Sequence, residues 1–325
     1  MPVLRIAGHD RPIPLDPDRT LLDAALDAGA ALPFGCKSGI CGACRVAVLA
    51  GSVSHGPHSA AALTAGERAA GMALACRARA TGDVAIAAAG TEPPPPRPRR
   101  FTTAVRSVAR LGRSSVALTL EPPPGGLAWL AGQYATLGLG DRAPRDFSLA
   151  SLPGDRALVF HIRDAGPGTA GAGARGLSPG DRVTAEGPFG RAHFSQSQRG
   201  PLLLVAGGTG LGAMLATARA ALAALPARRV VLCAGAADAG ELYGTDQLDR
   251  LAERFPAFAW HAITDDAGSA VDLARAEMAR GTDGLAVHAA GPPAMVAALV
   301  AAAEGAGIPP AMIRADAFRP VTPSA

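Results

Sequence analysis

The residues best suited to chemistry lie near the start of the chain. Cys36, Cys41 and Cys44 follow a C-x4-C-x2-C spacing, and Cys76 comes after a further 31 residues. Three thiolates from one tight loop and a distant fourth form a ligand set for a [2Fe–2S] cluster, each iron taking two sulfurs. The loop reads Gly35-Cys-Lys-Ser-Gly-Ile-Cys-Gly-Ala-Cys44. Its glycines let backbone N–H groups turn toward the sulfurs. Those donors offset the net negative charge of two ferric ions, two sulfides and four thiolates, which would be costly to bury bare. Other readings of the cysteines fit less well. Zinc sites usually set a second close pair against C-x2-C, whereas here the fourth cysteine stands alone. A Rieske centre needs two histidines, and His55 and His58 have the wrong spacing. Met1–Asp10 has neither an apolar run nor a cleavage site, which argues against export and against disulfides. The fifth cysteine, Cys233, sits in the apolar run Arg229-Val-Val-Leu-Cys-Ala234 and reads as a buried strand residue.

The flanking segments must position this loop. Thr20 can cap a helix over 21–29, with Leu21, Leu22, Ala25 and Leu26 on one face. Thr64-Ala-Gly-Glu67 is a capping box opening a short helix that leads to Cys76. The pattern from Leu63 through Glu67 to Cys76 resembles the second ligand segment of plant-type ferredoxins. That resemblance implies a β-grasp α+β domain over residues 1–90, with Cys36, Cys41, Cys44 and Cys76 as cluster ligands.

The whole chain has 325 residues, 49% of them hydrophobic and 18% charged. That is enough apolar material for two or three cores and excludes a disordered chain. No run of 18 apolar residues exists, and Arg219 interrupts the alanine-rich stretch 213–225, so no membrane span is expected. The net charge is only +4, aromatic residues are 4%, and Lys37 is the only lysine. No basic stripe with interleaved aromatics is present, so nucleic-acid binding is not expected. A cytoplasmic monomer is the simplest reading.

Thr91-Glu-Pro-Pro-Pro-Pro-Arg-Pro-Arg-Arg100 holds five prolines in ten residues and predicts an extended spacer over 91–100. From Phe101 the texture is short strands with turns between them: Val105–Ala109, Ser115–Leu120, Tyr134–Leu139, Leu158–Ile162 and Arg182–Ala185. An antiparallel β-barrel over 101–197 follows. From residue 198 to 325, apolar runs at Leu202–Val205, Val230–Leu232, Ala257–Ile263 and Leu285–Ala289 alternate with helix-length segments 212–225, 245–254, 271–280 and 293–306. This is the pattern of an α/β domain with a parallel sheet.

Gly132-Gln-Tyr134, Arg145-Asp-Phe-Ser148 and Phe160-His-Ile-Arg163, in this order after a ferredoxin-like domain, resemble the ferredoxin-NADP reductase superfamily. The resemblance implies FAD in the barrel domain. Arg145 matches the family's phosphate-binding arginine, and a planar guanidinium suits an oxyanion. Phe147 stands where the family has tyrosine and would stack on the flavin, while Ser148 would hydrogen-bond near N5, the catalytic position. Asp146, His161, Ile162 and Arg163 complete the two motifs. The glycine-rich loop 164–173 falls where the family holds the flavin diphosphate, which assigns Gly168 and Thr169. The family's hydroxyl aligns nearer Gly171. Phe318, in Arg314-Ala-Asp-Ala-Phe318, matches a C-terminal aromatic that covers the flavin.

Leu203-Leu-Val-Ala-Gly-Gly-Thr-Gly-Leu-Gly212 runs from strand to glycine turn to helix, the arrangement that cradles a dinucleotide diphosphate. Gly207, Gly208, Thr209 and Gly210 match the family's Gly-Gly-Thr-Gly. A proline that the family usually has slightly later is missing. Ala290, Gly291 and Pro292 match its Cys-Gly-Pro, with alanine replacing the cysteine beside the nicotinamide. The segment 235–244 holds Asp238 and Glu241 and no base. Acids there would repel a 2′-phosphate and accept ribose hydroxyls, which selects NADH. Ferredoxin, flavin and nicotinamide domains in this order resemble the reductase component of bacterial multicomponent oxygenases. The resemblance implies hydride transfer from NADH to FAD, then single electrons through the cluster to a ferredoxin or a terminal aromatic-ring dioxygenase. A diiron monooxygenase or a deoxysugar-forming enzyme is the alternative acceptor. A non-catalytic iron–sulfur carrier, degenerate at Ala290, is the alternative class.

Overall fold

The computed structural model describes the chain apart from residues 1, 8, 10, 31, 33, 35, 36, 40, 41, 43, 61, 89–95, 97, 141, 142, 191, 196, 197, 199 and 319–325. It divides into two compact units, Met1–Pro93 and Pro94–Ala325.

The first unit runs β1 (Val3–Ile6), β2 (Ile13–Pro14), α1 (Leu21–Asp27), β3 (Arg45–Ala50), β4 (Val53–His55), α2 (Ala65–Ala69), β5 (Met72–Leu74), β6 (Ala78–Ala80) and β7 (Val84–Ala88). A mixed five-stranded sheet has the order β2-β1-β7-β3-β5, with β1 and β7 parallel; β4 and β6 pair apart from it. Helix α1 buries Leu21, Leu22, Ala24 and Ala25 and is capped by Thr20, whose Oγ1 accepts from the Asp23 N–H. It stops two residues short of the predicted end, because Gly29 turns to φ +72°. The Thr64–Glu67 capping box forms.

The second unit begins with β8 (Arg99–Leu111), β9 (Ser115–Leu120), β10 (Tyr134–Gly138), β11 (Arg145–Ser148), β12 (Leu158–Arg163), α3 (Ala170–Arg175) and β13 (Arg182–Phe189). These strands form an antiparallel sheet of order β11-β10-β13-β8-β9-β12. A bridge between Leu149 and Phe160 brings its two ends together. Strand β8 extends well beyond the predicted Val105–Ala109, because its first half pairs with β13 and its second with β9, shifting register between Val105 and Ser107. Residues 91–95 and Arg97 of the proline-rich tract lie outside the described residues, while Arg99 and Arg100 already pair with Gly187 and Glu186. Leu118, Leu120, Leu137 and Phe160 fill the interior of this sheet.

Then follow β14 (Leu202–Gly207), α4 (Gly210–Ala224), β15 (Val230–Ala236), α5 (Thr245–Arg254), β16 (Phe258–Thr264), α6 (Ala270–Met278), β17 (Ala286–Gly291), α7 (Pro293–Gly305) and β18 (Ile313–Ala317). The sheet is parallel throughout, in the order β16-β15-β14-β17-β18. Strands buried on both faces give the continuous apolar runs seen in the sequence. Strand β18 was not predicted, because Ile313-Arg-Ala-Asp-Ala317 is a half-buried edge strand with mixed polarity. Cys233 is fully buried, and burial pushes its thiol up to about 12. Among the described residues, no helix is long and apolar enough to cross a membrane.

Candidate functional site

In the first unit, Cys44 and Cys76 are buried with their sulfurs 3.2 Å apart. That is far beyond the ~2.05 Å of a disulfide and suits two thiolates on one iron. The backbone fixes the pair, since the Ala75 N–H donates to the Cys44 carbonyl at 2.8 Å. Cys36 and Cys41 lie outside the described residues. Gly39 and Gly42 have φ of +80° and +72°. A Cβ on Gly42 would lie 3.2 Å from the Ala62 carbonyl oxygen and closer still to the Arg45 guanidinium. The close cysteine pair, the glycine turns and the nearby cation all fit a cluster that is negatively charged.

In the second unit, β10 and β11 pair so that Tyr134 opposes Ser148 and Thr136 opposes Asp146. These four side chains share one face of the hairpin, while Arg145 and Phe147 share the other with Ala135 and Leu137. Phe147 is half-buried against that apolar interior. Asp146 accepts from Thr136 Oγ1 at 2.6 Å, and Ser148 Oγ donates to Asp316 Oδ2 at 2.9 Å. Burial pushes the Asp316 carboxyl above its ordinary value against the Ser148 hydrogen bond, and the charge of Asp146 adds to the rise. The Tyr134 ring lies 5.7 Å from that of Phe189. Tyr134 belongs to the Gly132-Gln-Tyr134 motif and gains a place opposite Ser148, while Asp316 is an addition to the predicted site. Asp316 lies 168 residues from Ser148, and no local signal points to it.

The remaining residues expected to hold the flavin divide by environment. Arg163 is exposed at the end of β12, and no described residue pairs with the guanidinium of Arg145 or Arg163. Gly166 and Gly168 have positive φ, and a Cβ on either would meet open space. The glycine turn at Gly166 and Gly168, free of side chains and next to the exposed Arg163, fits a diphosphate. The Thr169 hydroxyl caps α3, accepting from the Ala172 N–H and donating to the Gly166 carbonyl. Ile162 is 1% exposed, so only its backbone is available. His161 faces the nicotinamide half: its Nδ1 hydrogen-bonds the Tyr243 hydroxyl at 3.0 Å, and a Cβ on Gly212 would lie 2.5 Å from that atom. Burial lowers the His161 pKa to about 4.

The two nicotinamide motifs interlock. A Cβ on Gly210 would lie 2.0 Å from the Ala290 carbonyl, and one on Gly207 would lie 2.6 Å from Pro292 Cδ. A Cβ on Gly291, at φ +149°, would lie 2.9 Å from the Gly207 nitrogen. Gly208, at φ +54°, faces open space, and Thr209 makes no side-chain cap. The turn is thus packed tightly behind and open in front, as a dinucleotide diphosphate requires. Ala290 is fully buried and pairs with Asp316 of β18, and the Phe318 N–H donates to the Gly291 carbonyl at 2.9 Å. Phe318 is half-buried against the core of this half.

The acids expected to meet the ribose are already engaged. Asp238 pairs with Arg113 of the β8–β9 turn. Glu241 accepts from Ser114 Oγ at 2.8 Å and from the Ser114 N–H at 3.2 Å, and lies 3.5 Å from Arg113 Nε.

Residues 4–81 match the 2Fe-2S iron-sulfur cluster binding domain family, and residues 204–301 match the oxidoreductase NAD-binding domain family. The chain is 36% identical to the reductase subunit of an aromatic O-demethylase from Amycolatopsis sp., covering 96% of this chain and 97% of that protein. It is 31% identical to the ferredoxin–NAD(P)+ reductase component of a naphthalene 1,2-dioxygenase system from Pseudomonas putida, with 98% of each covered. Among solved structures, the Amycolatopsis cytochrome P450 reductase superposes with a TM-score of 0.63 at 35% identity, covering 98% of this chain and 99% of that one. The chain belongs to the reductase components of oxygenase systems. In this reductase family member, the flavin and nicotinamide motifs fall in one compact unit, linked by Ser148, Asp316 and Ala290.

Proposed function

We propose that this reductase component takes a hydride from NADH onto FAD and delivers single electrons through a [2Fe–2S] cluster to a ferredoxin or a terminal aromatic-ring dioxygenase. The Ser148–Asp316 hydrogen bond carries the reading. It ties the hydroxyl of the flavin motif to the strand that flanks Ala290, beside the glycine turn. When bound, FAD supplies the conversion of an electron pair into single electrons and the cluster supplies a one-electron relay. Arg145, Arg163 and the glycine turn at Gly166 and Gly168 would bind the flavin phosphates. Asp316 orients the Ser148 hydroxyl by accepting its hydrogen bond at Oδ2. Gly207, Gly208, Thr209 and Gly210 would receive the nicotinamide diphosphate. Ala290 replaces a side chain by a methyl group and leaves the ring's position to its neighbours. Cys36, Cys41, Cys44 and Cys76 would hold the cluster.

The coenzyme choice rests on charge. The segment 235–244 offers no base, and the nearby guanidinium, Arg113, is matched by two carboxylates. A 2′-phosphate would therefore meet net negative charge. A cytoplasmic setting suits the reading, because the nicotinamide pool it draws on is there.

An anaerobic NADH titration followed by visible absorbance and low-temperature EPR tests the proposal. Flavin bleaching with a rhombic reduced-cluster signal is expected. Reduction by NADPH but not NADH would overturn the coenzyme choice. Reduction by dithionite alone would leave a carrier without reductase activity.

A further inference from the structure

Basic side chains gather near the cluster loop of the first unit. Around the cluster loop stand Lys37, Arg45 and Arg77. Arg45 lies against Gly42, and a Cβ on Gly39 would stand 2.9 Å from Arg77 Cγ. Arg68 sits near enough to His55 to lower that histidine's pKa, after burial as the larger cause. Glu67 lies 3.4 Å from Arg45. Asp27, at the end of α1, is matched by Arg19. At the loop, Phe34 is 46% exposed, one of two large apolar side chains so displayed among the described residues. The Lys37 ammonium lies 4.9 Å from the centre of the Phe34 ring. Lys37 takes φ +53°, a backbone conformation that non-glycine residues rarely adopt. It is the chain's only lysine and is bonded directly to the cluster ligand Cys36.

We propose that Phe34 and Lys37 form the electron-exit contact, and that it receives a redox protein whose docking face is acidic around an apolar centre. This rests on the cluster assignment above and adds the partner's chemistry. The physical reason is charge. A negatively charged cluster repels an acidic partner, and cations at the exit reverse that repulsion where the two approach. The exposed ring supplies the apolar contact that a brief encounter needs, while the charges set orientation and on-rate.

The test uses the cofactor-loaded full chain with its cluster reduced by dithionite, so failure of the NADH reaction leaves it intact. Reoxidation is followed by stopped flow at low salt with an anionic cobalt(III)–EDTA complex and a cationic cobalt(III)–phenanthroline complex. Lys37→Glu should slow the anionic acceptor and speed the cationic one, each by about threefold or more. Lys37→Arg should shift neither, and an unchanged reduced-cluster EPR signal shows that both variants are intact. A second readout needs no turnover. Amine acylation mapped by mass spectrometry labels Lys37 as the lone side-chain amine. An added acidic [2Fe–2S] ferredoxin should protect it at low salt, whereas basic cytochrome c should not. Equal effects of Lys37→Glu on both complexes, or a Lys37 left unprotected by the acidic ferredoxin, would overturn the proposal.

Discussion

Two kinds of contact join the flavin and nicotinamide halves of the second unit. At the rim, Arg113 meets Asp238 and Glu241, and Arg219 forks onto Asp155 with bonds of 2.6 and 2.8 Å. The Arg113 side chain is 66% exposed. Further in, His161 meets Tyr243, Gly212 closes on His161 and Ala150, and Ser148 meets Asp316. Exposed pairs are screened by water and salt and contribute about 0–1 kcal/mol each. Buried polar contacts tolerate little misalignment, because a partner left unpaired costs about 1–3 kcal/mol. The rim therefore guides the halves together, and the interior fixes their register to the precision that hydride transfer needs.

Acid should separate the two most strongly. Burial lowers the pKa of His161 to about 4 and that of His288, aided by Arg314 and Arg228, to about 3. Unfolding restores both to the ordinary 6.5. Below that value the unfolded chain binds protons that the fold refuses. Stability should therefore fall as pH drops from about 6.5 toward about 4, with a slope up to ~1.4 kcal/mol per pH unit for each histidine. At the rim, burial pushes Asp155 up, but the hydrogen bonds and charge of Arg219 carry it below its ordinary 3.8. Its contribution is lost only below that value. Urea unfolding of the second unit at stepped pH should show the loss in the upper window; a flat profile between 6.5 and 4 would contradict the buried assignment.

Next in size is Gly212→Val. Its Cβ would stand 2.5 Å from His161 Nδ1 and 2.8 Å from Ala150 Cβ, with little room to yield. Overpacking of this kind costs about 1–3 kcal/mol. Thermal unfolding should register it, and NADH bleaching of the flavin should slow because the halves are pushed apart. Tyr243→Phe is subtler. It keeps the ring and strips His161 Nδ1 of its partner, for a loss of about 1–2 kcal/mol within the range for an unpaired buried group. A wild-type melting temperature for that variant would mean the contact does not hold the halves.

Chemistry carried by adjacent residues was legible in the sequence, and chemistry assembled across the fold was not. The C-x4-C-x2-C loop, both capping threonines and the strand–glycine–helix turn at Gly207–Gly210 are each written in a single stretch. The helix at 245–254 was likewise read to its ends, since its apolar positions and flanking glycine are local. Asp316 is different. It lies on a half-buried strand whose partner, Ala290, pairs with it only after α7 has crossed over. Asp238 and Glu241 show the same limit from the other side. Their type and position fitted a ribose, but Arg113, 125 residues from Asp238 in sequence, reaches them first.

That engagement makes Arg113→Ala the smallest perturbation and the one that probes the rim most directly. Removing an exposed guanidinium should lower stability by at most about 1 kcal/mol, and 0.5 M salt, ~4 Å in Debye length, should erase the difference. The freed carboxylates should still act on the coenzyme. With Arg113 gone, Asp238 and Glu241 present uncompensated negative charge beside the strand end where a 2′-phosphate would sit. The KM for NADPH should rise by several-fold while that for NADH holds or falls, because ribose hydroxyls can now reach the carboxylates. Steady-state rates with both coenzymes, at low and high salt, decide the matter. If NADPH and NADH respond alike, the loop does not touch the ribose and the rim serves only to guide the two halves together.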